Sequence, residues 1–528
     1  VSFQVKLEVI RWRGFGRRRI LGGTHMGTQS IMFQGTASDS GKSWVAAGLC
    51  RILHNRGLKV APFKSQNMAL NSYITSDGKE MGRAQVFQAE AAGIAPDVRM
   101  NPLLLKPSTD QDSQVVYMGK VLSNMSAAAY QDYKPQLKQQ IFETYRSLAD
   151  ENDVMVLEGA GSPTEINLND RDIVNMGMAE IADAPVILVA DIDKGGVYAS
   201  IYGTIKLLPE ADQRRFKGII INKFRGDATL LESGNRMIED LTGVPVIGVI
   251  PMTDVDLDEE DSVVLARKSR TKDSTKALDV AVLALQKISN FTDFHSLEIQ
   301  PDVSVRYVVR PEELGHPDLL ILPGSKNTNQ DMAALREQGF VPLIQQLHAD
   351  GTQIIGICGG YQMLGTQMFD PNHVESDLSQ QAGFGLLDTT TTFTGEKTTT
   401  QAVARHRDIE LHGYEIHMGE TVLGPTAKPF STIIENNGQP VDRPDGAVDA
   451  TGRVWGTYLH GIFDNTAWTR QLLDQLRQAK GLPVLHQSSP AMAAYKEAQY
   501  EKLAKVIEAN VDMAKLDQIL ADSAKGDA

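Results

Sequence analysis

The apolar run Ile31-Met-Phe33 leads straight into Gly35-Thr-Ala-Ser-Asp-Ser-Gly41-Lys42-Ser43, and a helix-compatible stretch follows. A strand that ends in glycine and re-forms as a helix lays backbone N–H groups around an anion, with a lysine for phosphates and a hydroxyl for a metal ion. Such a loop needs a sheet behind it. Short apolar runs alternating with helical stretches supply one: Ile31 to Phe33, Lys59 to Phe63, Val154 to Leu157, Val186 to Ala190, Ile219 to Ile221 and Val246 to Ile250. This is the sequence form of an α/β, doubly wound parallel sheet of the P-loop type, covered by helices on both faces. The runs end in Gln34-Gly35, Lys64, Glu158-Gly159, Asp191 and Asn222, so these residues should converge on one crevice at the carboxyl edge. The loop is one residue wider than usual, which puts Thr36 where the first glycine would stand. Thr36, Gly41, Lys42 and Ser43 are the candidate nucleotide contacts, and Ser43 is also a candidate metal ligand.

A second strand-to-helix turn lies far downstream. In Gln353-Ile-Ile-Gly-Ile-Cys358-Gly-Gly-Tyr-Gln362 an apolar run stops at a cysteine beside glycines, the way a chain presents a nucleophile. A thiol needs a base, and Tyr458-Leu-His460-Gly places a histidine at the end of another apolar run, from which it could fold back beside Cys358. The remaining cysteine, Cys50, falls on the helix after the phosphate loop and reads as a small core residue.

At 528 residues the chain is too long for one core. The expected layout is an N-terminal extension at 1–29, a synthetase domain at 30–255, a linker at 256–277, a second α/β domain at 278–480 and a helical segment at 481–528. Residues 383 to 420, rich in Thr and Gly, read as antiparallel strands and turns within the second domain. The acidic run Asp254 to Asp261 and the polar stretch Arg267 to Lys276 read as a solvated boundary. Residues 1–25 cluster arginines without structural period and lack a transit peptide's serines, so they are expected to be a disordered or extraneous extension.

A net charge of −14 argues against nucleic acid or an anionic membrane as partner. No apolar run approaches the roughly 20 residues needed to span a bilayer. Two distant cysteines fit a reducing cytoplasm.

Gly356-Ile-Cys358-Gly-Gly-Tyr-Gln362 and Tyr458-Leu-His460-Gly resemble the class I glutamine amidotransferase domain, in which a thiolate attacks the glutamine amide and releases ammonia. That likeness implies catalytic Cys358 and His460, with an oxyanion hole at Gly324 and Gly359. Ile462 stands where an acid usually follows the histidine, so the third triad member is missing from its usual place. The wide loop resembles that of dethiobiotin synthetase, which implies a second lysine, Lys64, near the transferred phosphate. It also implies a magnesium-binding acid at Glu158, an adenine contact at Asn222 and a further metal ligand at Asp77 or Glu80.

Further stretches resemble the glutamine-hydrolysing cobyric acid synthase family: Phe63-Lys-Ser-Gln-Asn-Met-Ala-Leu-Asn71, Glu158-Gly-Ala-Gly-Ser-Pro-Thr-Glu-Ile-Asn167, Arg171-Asp-Ile-Val-Asn-Met-Gly177, Asp191-Ile-Asp-Lys-Gly-Gly196, Ile288-Ser-Asn-Phe-Thr-Asp-Phe294 and Gly413-Tyr-Glu-Ile-His-Met-Gly419. The resemblance implies ATP- and glutamine-dependent amidation of the b, d, e and g carboxylates of adenosylcobyrinic acid a,c-diamide to adenosylcobyric acid through acyl phosphates, in cobalamin biosynthesis. It also implies Mg2+ as the metal and a corrinoid, ATP and glutamine as partners. Tyr414, Glu415 and His417 become candidates to line a substrate site, and self-association of the chain is left open. The rival readings are a sister amidoligase, acting on cobyrinate a,c-positions or a cell-wall lipid, and a partitioning-type regulatory ATPase with an inert amidotransferase-like domain. Asp293-Phe-His295-Ser-Leu-Glu298 approximates a cobalt-ligating pattern, but Glu298 replaces its glycine, so a ligand role for His295 is rejected.

Overall fold

The structure is a computed structural model and describes residues 28–107, 112–257, 268–485 and 490–523. The expected extension at residues 1–25 and residues 258–267 of the boundary lie outside the described residues.

All six apolar runs of the first domain are strands of one parallel sheet. Its order is Val246–Pro251, Phe216–Phe224, Val186–Asp191, Gln29–Gly35, Val154–Glu158, Val60–Phe63. The central strands are buried along their length, as a sheet covered on both faces requires. The strand Gln29–Gly35 passes through the loop into the helix Lys42–Asn55, and Gly41 makes the turn with φ 94°.

Two features between residues 64 and 127 had no counterpart in the sequence reading. Gln66–Met68, Leu103–Pro107, Asp112–Tyr117 and Lys120–Ser126 form a four-stranded sheet, and Ser72–Ile74 pairs with Glu80–Gly82 in a hairpin. Lys120–Ser126 is largely exposed, and the apolar runs Leu103-Leu-Leu105 and Val115-Val116 are short, so the local pattern is weak.

The second domain carries a sheet in the order Val303–Val308, Leu278–Leu283, Leu319–Leu322, Gln353–Ile357, Val454–Thr457, Ala447–Val448, with only the last pair antiparallel. Beside it, Thr389–His406 and Ile409–Leu423 form a long antiparallel hairpin in the Thr- and Gly-rich stretch. The short strand Leu459–His460 joins that hairpin, with His460 opposite Tyr414.

The C-terminal helices Met492–Asn510 and Met513–Ser523 return to the first domain. Tyr500, Leu503, Ala504, Ile507, Leu516, Ile519 and Leu520 are buried in one core with the phosphate-loop helix. Helix–helix contact is close at Gly48, where a Cβ would lie 2.1 Å from Ile507 Cδ1. The segment is helical, and it packs into the core of the domain that begins the chain.

Candidate functional site

Cys358 sits between the strand Gln353–Ile357 and the helix Gly359–Leu364 with φ 51° and ψ −108°. A non-glycine residue held there marks a sharp turn that aims its side chain outward. The neighbouring glycines make the turn sterically feasible. A Cβ on Gly360 would lie 1.9 Å from Leu322 O, and one on Gly356 would lie 2.6 Å from the Gly360 backbone.

His460 is fully buried, and its Nδ1 lies 2.7 Å from Asp293 Oδ2. A carboxylate only accepts, so Nδ1 carries a proton toward Asp293 and Nε2 is the nitrogen left to exchange one with the thiol. Nε2 is buried without a hydrogen-bond partner among the described residues. Burial opposes the imidazolium, yet the Asp293 carboxylate and then the Cys358 side chain push His460 up from 6.5 to about 10. Tyr414 stacks on the imidazole with ring centroids 5.1 Å apart.

Asp293 therefore stands where a third, orienting acid would. The sequence reading missed it: it looked after the histidine, where Ile462 stands, whereas Asp293 approaches from 167 residues upstream. Its second oxygen accepts from Gly461 N at 3.0 Å, which fixes the carboxylate against the histidine's own backbone. The available signal was Ile288-Ser-Asn-Phe-Thr-Asp-Phe294, a stretch carrying an unassigned acid. In the same stretch Ser289 and Asn290 line the cavity in front of Cys358.

The other lining residues include Ser325, Lys326, Gln362, Glu375, Ile416 and His417. Gly324 and Gly359 border this space. A Cβ on Gly324 would lie 3.4 Å from His460 Cε1, and one on Gly359 would lie 2.7 Å from Ser325 N. Of the three candidate lining residues only His417 faces the cavity, with its ring stacked on Tyr458 at 3.7 Å. Tyr414 lies behind His460. Glu415 is fully buried and accepts from Arg443 and Thr400, so it braces the hairpin.

At the phosphate loop, Lys42 Nζ donates to Ala37 O and Gly161 O at 3.0 and 3.2 Å. Glu158 Oε1 accepts from Ser43 Oγ at 2.8 Å and from Lys64 Nζ at 3.0 Å, while Oε2 accepts from Gln88 Nε2 at 2.6 Å. The strand ends thus meet in one crevice. Asn222 Nδ2 donates to Ser40 O at 2.9 Å, which ties that strand's end to the loop. Thr36 N–H is taken by Val189 O at 3.1 Å.

The expectation of a metal ligand at Asp77 or Glu80 is corrected. Asp77 pairs with Lys79, and Glu80 pairs with Lys106 and Lys397, so neither joins Ser43 and Glu158. The described residues contain no group of three or more His, Cys, Asp or Glu arranged to hold a metal. Ser43 Oγ and Glu158 Oε1 do form an adjacent pair of hard oxygen donors on a phosphate loop, which suits Mg2+ completed by water and phosphate oxygens.

Other readings can be placed. Cys50 is fully buried, and burial raises its thiol far above its ordinary range. His295 Nε2 lies 2.9 Å from Asp256 Oδ2, and its ring meets Tyr495 edge-on. Asp254 pairs with Lys502, and the rest of the acidic run from residue 258 lies outside the described residues. Among the described residues, no helix is long and apolar enough to cross a membrane.

Residues 31–263 match the CobQ/CobB/MinD/ParA nucleotide binding domain, and residues 279–468 match the CobB/CobQ-like glutamine amidotransferase domain. The cobyric acid synthase of Limosilactobacillus reuteri (strain DSM 20016) is 68% identical over 95% of this chain and 100% of its own. That of Streptococcus sanguinis (strain SK36) is 61% identical over 93% of this chain and 99% of its own. That of Listeria monocytogenes serotype 4b (strain CLIP80459) is 57% identical over 93% and 96%.

Proposed function

The chain belongs to the cobyric acid synthase family, and from that premise we propose that it amidates the b, d, e and g carboxylates of adenosylcobyrinic acid a,c-diamide, using ATP and glutamine in two separate sites. The observation that carries this reading is the Cys358–His460–Asp293 arrangement packed into one chain with the Ser43–Lys64–Glu158 cluster.

In the second domain Cys358 Sγ attacks the side-chain carbonyl of glutamine, with the thiol proton held on His460 Nε2 and returned from there to the departing ammonia. Asp293 holds the Nδ1 proton and stabilises the imidazolium. Backbone N–H groups at Gly324 and Gly359 are the assigned donors to the oxyanion. Water then releases glutamate from the thioester.

In the first domain a corrinoid carboxylate attacks the γ-phosphate of ATP, because an anion without a leaving group resists ammonia. Lys42 and Lys64 offset charge on the transferred phosphoryl group, and ammonia then displaces phosphate from the acyl phosphate. Mg2+, held by Ser43 and Glu158, would supply further neutralisation of phosphate charge when bound. Thr36, Gly41 and Asn222 shape the nucleotide end. We place the reaction in the cytoplasm, which suits two buried free thiols.

The test is direct: supply the a,c-diamide, ATP, magnesium and glutamine, and follow product mass. Stepwise gain of amide groups up to the fully amidated acid is expected, and no gain rejects the assignment.

Asp293→Asn should lower glutamine hydrolysis by about 10³- to 10⁴-fold, as loss of an orienting acid does elsewhere. Glutamate release measures it. The raised pKa of His460 also carries a stability term: it is complete below about 6.5 and is lost as pH rises through about 10. Denaturant titrations across that window should show the fall in the parent protein and a flatter profile in the variant.

A further inference from the structure

Glu80 lies in the synthetase domain, yet its ion pairs are with Lys106 and Lys397. Its side chain is 1% exposed, and Oε1 accepts from Lys106 Nζ at 2.7 Å, while Oε2 accepts from Lys397 Nζ at 2.5 Å. Lys106 comes from the synthetase insertion, and Lys397 comes from the long hairpin of the amidotransferase domain. Both lysines line the cavity in front of Cys358. The wall of the thiol site is therefore built in part by the other domain.

The surroundings hold that junction in register. Ser72 N donates to Asn290 Oδ1 at 3.1 Å, and Asn290 is itself a lining residue. Thr399 Oγ1 donates to Gly78 O at 3.0 Å, and Lys106 Nζ donates to Ser72 Oγ at 3.0 Å. Lys397 also reaches Gln114 Oε1 at 3.2 Å. Lys326, a third lining lysine, and Glu375, a lining carboxylate, complete the charged groups of an otherwise largely neutral wall. An α-amino acid whose side chain reaches Cys358 must lodge its own carboxylate and ammonium against such groups.

We propose that Glu80 is a positioning residue for glutamine hydrolysis: it holds Lys106 and Lys397 where they receive the α-carboxylate of glutamine, so the glutamine site is complete only when the two domains are docked. The two lysines cannot approach each other without the carboxylate between them, because two buried like charges repel. Glu80 also sits two residues before Gly82, where the helix Arg83–Ala91 begins, and Gln88 of that helix donates to Glu158. The clamp on the glutamine pocket is thus joined by one short piece of backbone to the phosphate loop's acid. The proposal rests on the glutaminase reading of Cys358.

The test compares Glu80→Gln with the parent full-length protein, measuring KM for glutamine, kcat for glutamate release and amidation driven by added ammonium. KM for glutamine should rise at least about tenfold, as the loss of a charge-assisted contact predicts, with ammonium-driven amidation retained. Lys397→Met, which leaves the Lys106–Glu80 pair intact, should raise the same KM, and Lys397→Arg should recover part of it. Should Glu80→Gln not fold, Lys397→Met carries the readout alone. An unchanged glutamine KM in the folded variants overturns the proposal, as does an equal loss of ammonium-driven amidation, which would mark the cluster as structural. Failure of the glutaminase reading is distinct, because the parent protein itself would then release no glutamate.

Discussion

Cys358→Ala is expected to abolish glutamine-dependent amidation, by at least about 10⁴-fold, while amidation with added ammonium survives. The thiol is the only group in its cavity placed to form a thioester, and alanine removes it without adding bulk. The turn should persist, since the close approaches that define it belong to Gly356 and Gly360. His460 keeps its bond to Asp293, so the base remains oriented with nothing to activate. The synthetase site shares no catalytic group with this one. Loss of activity with both nitrogen sources would instead mean that Cys358 is structural or takes part in the synthetase step.

Lys64→Met should produce the complementary pattern. Amidation should fall by about 10²- to 10³-fold with glutamine and with ammonium alike, the scale expected when a donor to transition-state charge is removed. Glutamine hydrolysis should continue. The Lys64 side chain is only 4% exposed, and methionine fills nearly the same volume, so packing is largely spared. Glu158 keeps Ser43, Gln85 and Gln88 as partners. Product mass and glutamate release, measured on the same samples, separate the two half-reactions. Retained amidation with ammonium would show that Lys64 does not act on the transferred phosphoryl group.

What could be read from the residues, and what could not, divides along physical lines. The six parallel strands were legible because a strand buried on both faces must be apolar along its length, and each is bounded by polar or glycine residues. Cys358 and His460 were legible because a nucleophile turn and a strand-end histidine leave local marks. Asp293 left only an acid without a role in the Ile288–Phe294 stretch: an orienting acid needs only to arrive in space, and it arrives from a segment remote in sequence. Glu80 was misjudged for the same reason. The resemblance of the phosphate loop suggested a metal ligand at Asp77 or Glu80, whereas Glu80's partners in space are two lysines, one of them 317 residues away. The C-terminal helices were recognised as helices, but their amphipathic faces say nothing about which domain they cover.

The central claim is that nitrogen released at Cys358 is consumed at the Lys64–Glu158 site of the same chain. The most direct measurement supplies glutamine labelled with nitrogen-15 at the side-chain amide, together with excess unlabelled ammonium at neutral pH, and reads the isotope content of the amidated corrinoid. The account predicts new amides carrying predominantly the glutamine label. Amides whose label matches the diluted pool in solution would contradict it.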